Sequence, residues 1–280
     1  MSGKTIQIFL PDGNPRGVKV ADITSRTVQV MFIPRAELDL AAKRQELSGV
    51  GVYFLIGETE DSGVKQVYVG EAEDCLARLK QHNKQKDFWS TALVGLSKTQ
   101  YFTKSHVKYL EWHCHDAINA AGRFKLENSG VPTKSFVSES MEADLLDNFE
   151  TLKVLVSTLG YPLFDQIKKS GKQSILYCRG KDADARGEYT EDGLVVFSGS
   201  VVNLRETQSA SSSLVNHRRS LVESGVLVSK DGKTYQFSRD YVFASPSMAS
   251  SVVLARSSNG WNEWKYADGR TLDEVHRQQK

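Results

Sequence analysis

Apolar and polar residues alternate in three short stretches near the start of the chain, and this alternation predicts β-strands. The stretches are residues 5–10 (TIQIFL), 18–23 and 27–33 (TVQVMFI), and a Pro-Asp-Gly turn signal separates the first two. Residues 35–47 carry a helical pattern. We therefore expect a β-rich N-terminal segment over residues 1–47, which caps its neighbour and is not an independent domain.

The middle of the chain, residues 48–165, predicts one α+β domain. Two apolar stretches, residues 51–56 and 66–69, flank a polar, Gly-containing connection, and this pattern predicts a β-hairpin. The further elements that we predict are a helix from an Asp74 N-cap to His82, a strand ending at Tyr101 and Phe102, a helix from a Ser105 cap to Ala121, a loop over residues 122–139, and a helix over residues 140–159 that ends at Gly160-Tyr161-Pro162.

The polar residues 168–172 (KKSGK) indicate a linker, and the pattern changes after them. Residues 173–280 predict a second, small α+β domain. Its predicted elements are strands near residues 174–178, 194–197 and 235–237 and helices near residues 213–224 and 247–255. The whole chain is thus predicted to be a mixed α/β (α+β) protein.

Composition adds limits to this picture. A chain of 280 residues with 40% hydrophobic and 25% charged residues is typical of about two folded domains. Its net charge is only +2, so any binding of nucleic acid has to come from local basic patches. The three cysteines, Cys75, Cys114 and Cys178, form no CxxC pair and argue against a disulfide framework or a structural zinc site. With neither a signal peptide nor the ~18–20 apolar residues of a membrane span, we expect a cytoplasmic protein without a membrane partner.

Five chemically useful side chains have a spacing that brings them together. Tyr53 and Tyr68 lie on the two strands of the predicted hairpin, where they share one face of the sheet. Arg78 and His82 are four residues apart and share one helix face, and Glu111 lies on a separate helix. Phosphodiester hydrolysis needs a cation for the phosphate oxygens, a carboxylate for a divalent metal and a base for water. The pattern therefore indicates a phosphodiesterase site.

The segments GVYFLIG, QVYVGEAEDCLARLKQH and KYLEWHCHDAI carry a resemblance to a known family. Over about residues 50–128 they resemble the GIY-YIG nucleases. The resemblance implies a small antiparallel three-stranded sheet flanked by helices. It also implies a metal-dependent endonuclease that hydrolyses phosphodiester bonds in DNA, in restriction, repair or phage defence.

The resemblance also implies a function for each residue that matches the motif. Tyr68 would be the general base or the phenol that positions water, and Tyr53 would support it and contact the phosphate. Arg78 would stabilise the transition state, and His82 occupies a position that is Tyr or His in the family. Glu111 would bind Mg²⁺ or Mn²⁺. The residues expected to bind substrate are Gly70 of the YVG motif, Lys80 of the basic run and Asn128, which would close the site by hydrogen bonding.

Some features leave alternatives open. Glu71 stands where the repair-type enzymes have Lys, which removes one positive charge near the phosphate. The basic run that includes Lys80, Lys84 and Lys86 fits phosphate contacts about as well as a solvated helix end. His113 and His115 are two residues apart on a helix and point to different faces, so we expect packed or surface histidines there. A non-catalytic nucleic-acid-binding protein and an RNA-directed nuclease are the alternatives, and a double-strand break would require a homodimer or a second encounter.

The C-terminal region resembles an uncharacterised domain that commonly follows GIY-YIG nucleases. The resemblance lies in GLVVFSGSVV, NHRRSLVESGVL and the Ser-Pro-Ser and Asn-Gly-Trp elements of residues 241–272. We expect a region that recognises substrate, in which basic side chains contact phosphates and indole rings stack on bases, or else a structural core with buried tryptophans. The side chains concerned are Arg218, Arg219, Arg256, Lys265, Trp261 and Trp264.

Overall fold

The computed structural model describes residues 3–58, 64–166 and 175–278, and the linker predicted at residues 168–172 lies outside these ranges. The chain divides into two compact units. The first contains the described residues 3–58 and 65–165, and the second contains the described residues 64, 166 and 175–278. Both combine helices with an open sheet, so the predicted α+β class is confirmed. Within the described ranges, none of the helices is long and apolar enough to cross a membrane.

The first unit is built on a seven-stranded sheet in the order β1-β2-β3-β6-β4-β5-β7. All neighbouring strands are antiparallel except β5 and β7, which are parallel. The strands are β1 (Ile6–Phe9), β2 (Lys19–Ile23), β3 (Val28–Pro34), β4 (Gly51–Glu58), β5 (Lys65–Ala72), β6 (Trp89–Ser97) and β7 (Lys125–Leu126). The helices are α1 (Leu38–Ala41), α2 (Cys75–Gln85), α3 (Lys104–Ala121) and α4 (Glu139–Thr158).

The three-stranded sheet expected from the resemblance is therefore too small. Strands β6, β4 and β5 are neighbours in this sheet, but β3 pairs with β6 from Val28 opposite Ser97 to Pro34 opposite Thr91. An edge strand such as β6 would otherwise leave a row of backbone groups without partners, and β3 satisfies them. The strands of residues 1–47 thus belong to the same sheet as the hairpin.

Three local predictions in this unit need correction. Residues 35–47 form one turn of α1 between two 3₁₀ turns. A single helix would put Leu47 on the side opposite Leu38, whereas the broken segment buries Leu38, Ala41 and Leu47 together. Strand β6 ends at Ser97, so Tyr101 and Phe102 lie in a connection. Helix α3 begins after Thr103, whose backbone N–H donates to His106 Nδ1 at 3.2 Å, and Ser105 is already helical.

Both faces of this sheet are covered, and alternation along β4 divides its side chains between two cores. Val52 and Phe54 pack beneath α3 and α4, in one cluster with Leu110 of α3. Tyr53 and Leu55 lie on the other face, in a cluster with α2. The all-apolar segment of β4 is explained by this double burial. It also places the two predicted tyrosines on the α2 face.

The second unit has an eight-stranded antiparallel sheet. Its main order is β12-β13-β11-β9-β10-β14, and β8 pairs with both β9 and β15. The strands are β8 (Leu176–Arg179), β9 (Asp184–Thr190), β10 (Gly193–Val196), β11 (Val201–Asn203), β12 (Leu227–Ser229), β13 (Thr234–Phe237), β14 (Tyr241–Phe243) and β15 (Lys265–Tyr266). The helices are α5 (Ser212–Glu223), α6 (Pro246–Leu254), α7 (Gly260–Glu263) and α8 (Leu272–His276). A separate apolar core includes Leu221, Val253 and Trp264.

Candidate active site at the end of the β4–β5 hairpin

The hairpin register brings Tyr53 across a glycine. Tyr53 lies opposite Gly70, and Leu55 lies opposite Tyr68, so the two tyrosines are diagonal neighbours on one face with ring centroids 6.3 Å apart. A Cβ at Gly70 would stand 2.3 Å from the Tyr53 hydroxyl oxygen. Gly70 therefore contributes by having no side chain, because the fully buried Tyr53 ring passes over it. The packing of Tyr53 is enough to explain a glycine here, so the contact of Gly70 with substrate stays a prediction.

Helix α2 brings Arg78 and His82 to the Tyr53 hydroxyl. The helix begins at Asp74, whose carboxylate accepts the backbone N–H of Ala77, as predicted. One turn and two turns later, Arg78 Nε donates to the Tyr53 oxygen at 3.3 Å, and His82 Nε2 lies 2.8 Å from the same oxygen. The predicted shared face of Arg78 and His82 is confirmed, and both residues are directed at the hairpin.

His82 is a neutral imidazole at neutral pH. Burial, together with the positive charges of Arg78 and Lys86, lowers its pKa to about 4. Its ring is 3% exposed and also lies against Tyr68, with ring centroids 5.2 Å apart. Since the Tyr53 oxygen already accepts from Arg78, a consistent network has the Tyr53 hydroxyl donating to His82 Nε2.

The two tyrosines differ in their access to solvent. Tyr53 is fully buried, and this burial raises the pKa of its phenol far above the usual value. Tyr53 is therefore a neutral group that connects Arg78 and His82. Tyr68 is only partly buried, and it is the phenol that a substrate can reach.

Glu111 approaches from α3, close enough for its charge to act on Tyr53 and Arg78. Burial and the nearby charge of Glu71 raise its pKa to about 7. Glu71 in turn accepts from Lys104 Nζ at 2.8 Å, so the negative charge that departs from the repair-type pattern is neutralised by a lysine of α3. A cation bound there would stabilise the charged form of Glu111, which is half-buried and lies near a second carboxylate.

Lys86 is a further cation at this site. It ends α2 as the C-cap residue, and its ammonium lies 4.5 Å from the centroid of the Tyr68 ring. The sequence places Lys86 in a basic run without separating it from Lys80 and Lys84. The spacing of four residues from His82 is the signal that distinguishes it.

Other predicted residues lie apart from this cluster or are used within the fold. Lys80 is exposed and follows Arg78 by two residues, which puts it on the other side of α2. Asn128 binds the backbone of Val69 twice, accepting from its N–H at 3.0 Å and donating to its carbonyl at 2.8 Å. It therefore extends the edge of β5 beside Tyr68. His113 packs against Phe149, and His115 is buried, as expected for packed histidines.

No group of three or more His, Cys, Asp or Glu side chains in the described parts of the chain is arranged to hold a metal. A pocket of about 400 Å³ lies at the other end of β4, lined by residues that include Gly57, Lys65, Phe124 and Tyr161. It contains none of the clustered side chains. The candidate site therefore lies apart from this pocket.

The basic and aromatic residues expected to read nucleic acid in the second unit are largely used internally. Arg218 is 2% exposed and donates to the carbonyls of Val252, Asn203 and Leu204 and to Glu206. A phosphate contact by Arg218 is therefore ruled out by its own hydrogen bonds.

The Ser-Pro-Ser and Asn-Gly-Trp elements join α6 to α7. Trp264 is fully buried and donates from Nε1 to the Pro246 carbonyl at 3.1 Å, while Ser247 Oγ accepts the backbone N–H of Gly260 at 3.1 Å. The structural-core alternative is therefore correct for Trp264. Arg219 and Lys265 are exposed. The Arg277 guanidinium stacks on Trp261, with Arg277 Cζ 3.4 Å from the ring centroid.

Comparison with known proteins bears on the second unit. Residues 176–276 match the model of a family described as a domain of unknown function, DUF4357. No curated protein and no solved structure matches the chain.

Proposed function

We propose that the first unit is a metal-dependent phosphodiesterase that cleaves nucleic acid, with β6, β4 and β5 and helices α2 and α3 in a GIY-YIG-like arrangement. One observation carries the proposal. The Tyr53 hydroxyl is hydrogen-bonded to both Arg78 and His82. The Tyr68 ring contacts the His82 ring, and the charge of Glu111 acts on Tyr53. These residues come from four separate elements and match the motif positions from which the chemistry was expected.

Each side chain has a function that follows from its surroundings. Tyr68, the accessible phenol, orients or activates the attacking water. Arg78 is partly exposed, and its guanidinium stabilises negative charge on the phosphate oxygens. Tyr53 and the neutral His82 hold this guanidinium in place through the shared hydroxyl. His82 remains neutral at pH 7, so its Nε2 accepts the hydrogen bond of the Tyr53 hydroxyl without placing a second positive charge beside Arg78.

A divalent ion suits the residues at the Glu111 end of the site. A single carboxylate leaves most coordination positions to water, which Mg²⁺ retains readily, and Mn²⁺ takes similar ligands. Burial and the charge of Glu71 raise the pKa of Glu111, and this destabilisation of its charged form is consistent with a site that a cation would stabilise. When bound, such an ion would polarise the phosphate and assist the leaving oxygen.

DNA is the substrate that the resemblance favours, with restriction, repair or phage defence as the setting. RNA is the second candidate substrate, and a non-catalytic nucleic-acid-binding protein is the second candidate function. One site of this kind cuts one strand per encounter, so cutting both strands would use a homodimer or two encounters. The exposed second-unit residues Arg219 and Lys265 remain candidates for substrate contacts.

The decisive experiment is a cleavage panel with the full chain and Mg²⁺, Mn²⁺ or EDTA. The substrates are double-stranded, single-stranded, branched and modified DNA, with RNA beside them. We expect metal-dependent cutting that falls by on the order of 10²-fold or more in Glu111→Ala and in Arg78→Ala. Asp116→Ala is the matched control, because Asp116 is an exposed carboxylate on the same helix.

Two results would contradict the proposal. Undiminished cutting by Glu111→Ala would remove Glu111 as the metal ligand. A gel shift without cleavage, across all metals and substrates, would instead support the non-catalytic binding protein.

A further inference from the structure

Two side chains on α2 and one at its C-cap form a row along the phenols of the hairpin. Arg78 and His82 are four residues apart and share one face of α2, and Lys86 follows His82 by four residues at the C-cap. Arg78 and His82 contact the Tyr53 oxygen, and the Lys86 ammonium lies 4.5 Å from the centroid of Tyr68. The two cations therefore bracket both tyrosines and the imidazole between them.

Among the described residues, neither cation of this row is in direct contact with a carboxylate. Arg78 donates to Gln81 and to Tyr53, both uncharged, and Lys86 lies over an aromatic ring. Over the described ranges of the chain, neither forms an ion pair with a carboxylate. Lys104 differs, since Glu71 and Glu73 lie 2.8 and 3.9 Å from its ammonium. Two cations lie along the three rings of Tyr53, Tyr68 and His82, with the Glu111 carboxylate within electrostatic reach of Arg78, and this positive surface suits an anion.

The backbone conformation of Lys86 directs it to this surface. Its amide still closes the last turn of α2 by donating to the His82 carbonyl at 2.9 Å, but its φ and ψ of −130° and 122° are extended. A cation at a helix C-terminus is also favoured by the helix dipole. By contrast, Lys84 is exposed and lies two residues away, on the opposite side of the helix.

We propose that Lys86 binds a backbone phosphate of the nucleic-acid substrate next to the phosphate held by Arg78. This inference rests on the proposed function, and it adds a substrate-binding residue to that site. Lys86 then supplies, from the end of α2, the positive charge that Glu71 does not supply from β5. On binding, the ammonium exchanges its contact with the Tyr68 ring for a charge-assisted hydrogen bond to a phosphate oxygen.

The test measures binding of a DNA duplex by the full chain in EDTA, over a series of KCl concentrations. Each phosphate contact contributes about 0.9 to the slope of log affinity against log salt concentration. We expect Lys86→Met to lower the slope by about one contact and to weaken binding roughly three- to tenfold at low salt. Met keeps an unbranched apolar stem over Tyr68, and an unchanged unfolding temperature would show that the fold is intact.

Lys84→Met is the matched control, because it removes the same charge from the same turn but from the other face of α2. We expect its salt slope to equal that of the unchanged protein and Lys86→Arg to retain most of the binding. Equal slopes for Lys86→Met and Lys84→Met would overturn the inference. Absence of any salt-dependent binding by the unchanged chain would overturn it as well.

Cleavage kinetics separate this inference from the proposed function. With metal present, we expect Lys86→Met to raise KM while kcat changes little, whereas Arg78→Ala lowers kcat. If the chain binds duplex but cuts nothing, the catalytic proposal fails, while the difference in salt slope between Lys86→Met and Lys84→Met still decides the function of Lys86.

Discussion

Arg78 in the first unit and Arg218 in the second are both helical arginines near aromatic residues, yet they have opposite surroundings. Arg78 is partly exposed and shares its donors between a phenol and a glutamine. Arg218 is buried and donates to three backbone carbonyls and a glutamate. An arginine that binds a ligand needs donors that the protein leaves unused, and only Arg78 has them. Hydrogen-bond capacity therefore separates a candidate binding residue from a structural one.

The largest change in stability that we predict is for the removal of the Arg218 side chain, and it tests this contrast. Arg218→Ala leaves the carbonyls of Asn203, Leu204 and Val252 without their buried donor, and we expect a loss of about 3–5 kcal/mol in the free energy of unfolding of the second unit. Hydrogen exchange measured by mass spectrometry should rise in α5, α6 and β11. Arg219→Ala, an exposed neighbour, is expected to stay within about 0.5 kcal/mol.

If Arg218→Ala and Arg219→Ala had the same free energy of unfolding, Arg218 would not be the structural connection between α5 and α6. The second unit would then have a basic residue free for nucleic acid, and the contrast with Arg78 would disappear.

A smaller effect concerns His82 and depends on pH. Burial, together with Arg78 and Lys86, lowers the His82 pKa from 6.5 to about 4. Between these two pH values the unfolded chain binds a proton at His82 and the folded chain does not. The stabilisation is complete above pH 6.5 and is lost as the pH falls towards 4, by up to about 3 kcal/mol at ~1.4 kcal/mol per pKa unit.

Urea unfolding of the unchanged chain and of His82→Phe between pH 8 and 4.5 measures this effect. Other acid-sensitive groups act equally in both proteins, so the difference between the two curves isolates His82. We expect the unchanged protein to lose stability more steeply than His82→Phe below pH 6.5. Parallel curves would mean that the folded protein protonates His82 freely and that the imidazole is not held neutral beside Tyr53.

Local patterns predicted the elements of the first unit better than their assembly. The Asp74 cap, the shared face of Arg78 and His82 and the hairpin with its two tyrosines follow from spacing alone, and the structure confirms them. The pairing of β3 with β6 was missed because alternation identifies a strand but not its partner, and these strands are about 60 residues apart in the chain.

The second unit was predicted less well for a different physical reason. A sequence shows that Arg218 and Trp264 are present but not whether their N–H groups meet backbone carbonyls. Such partners have no side-chain signature, since every residue supplies a carbonyl. The sequence therefore leaves a nucleic-acid surface and a structural core both open for this region, and the hydrogen bonds of Ser247 and Trp264 connect α6 to α7.

The smallest effect that we predict concerns the close approach of Tyr53 to Gly70. Gly70→Ala places a methyl group 2.3 Å from the Tyr53 oxygen and 2.4 Å from Cζ, so the buried ring has to move away from Arg78 and His82. We expect a loss of about 1–3 kcal/mol in unfolding free energy. Gly130→Ala is the control, because a Cβ there meets nothing within 4 Å, and it should be nearly neutral. Cleavage should fall further in Gly70→Ala than its stability explains, since a displaced Tyr53 no longer orients the guanidinium. A destabilised but fully active Gly70→Ala protein would show that Arg78 acts without Tyr53. The hydrogen bonds of Tyr53 would then be structural, like those of Arg218.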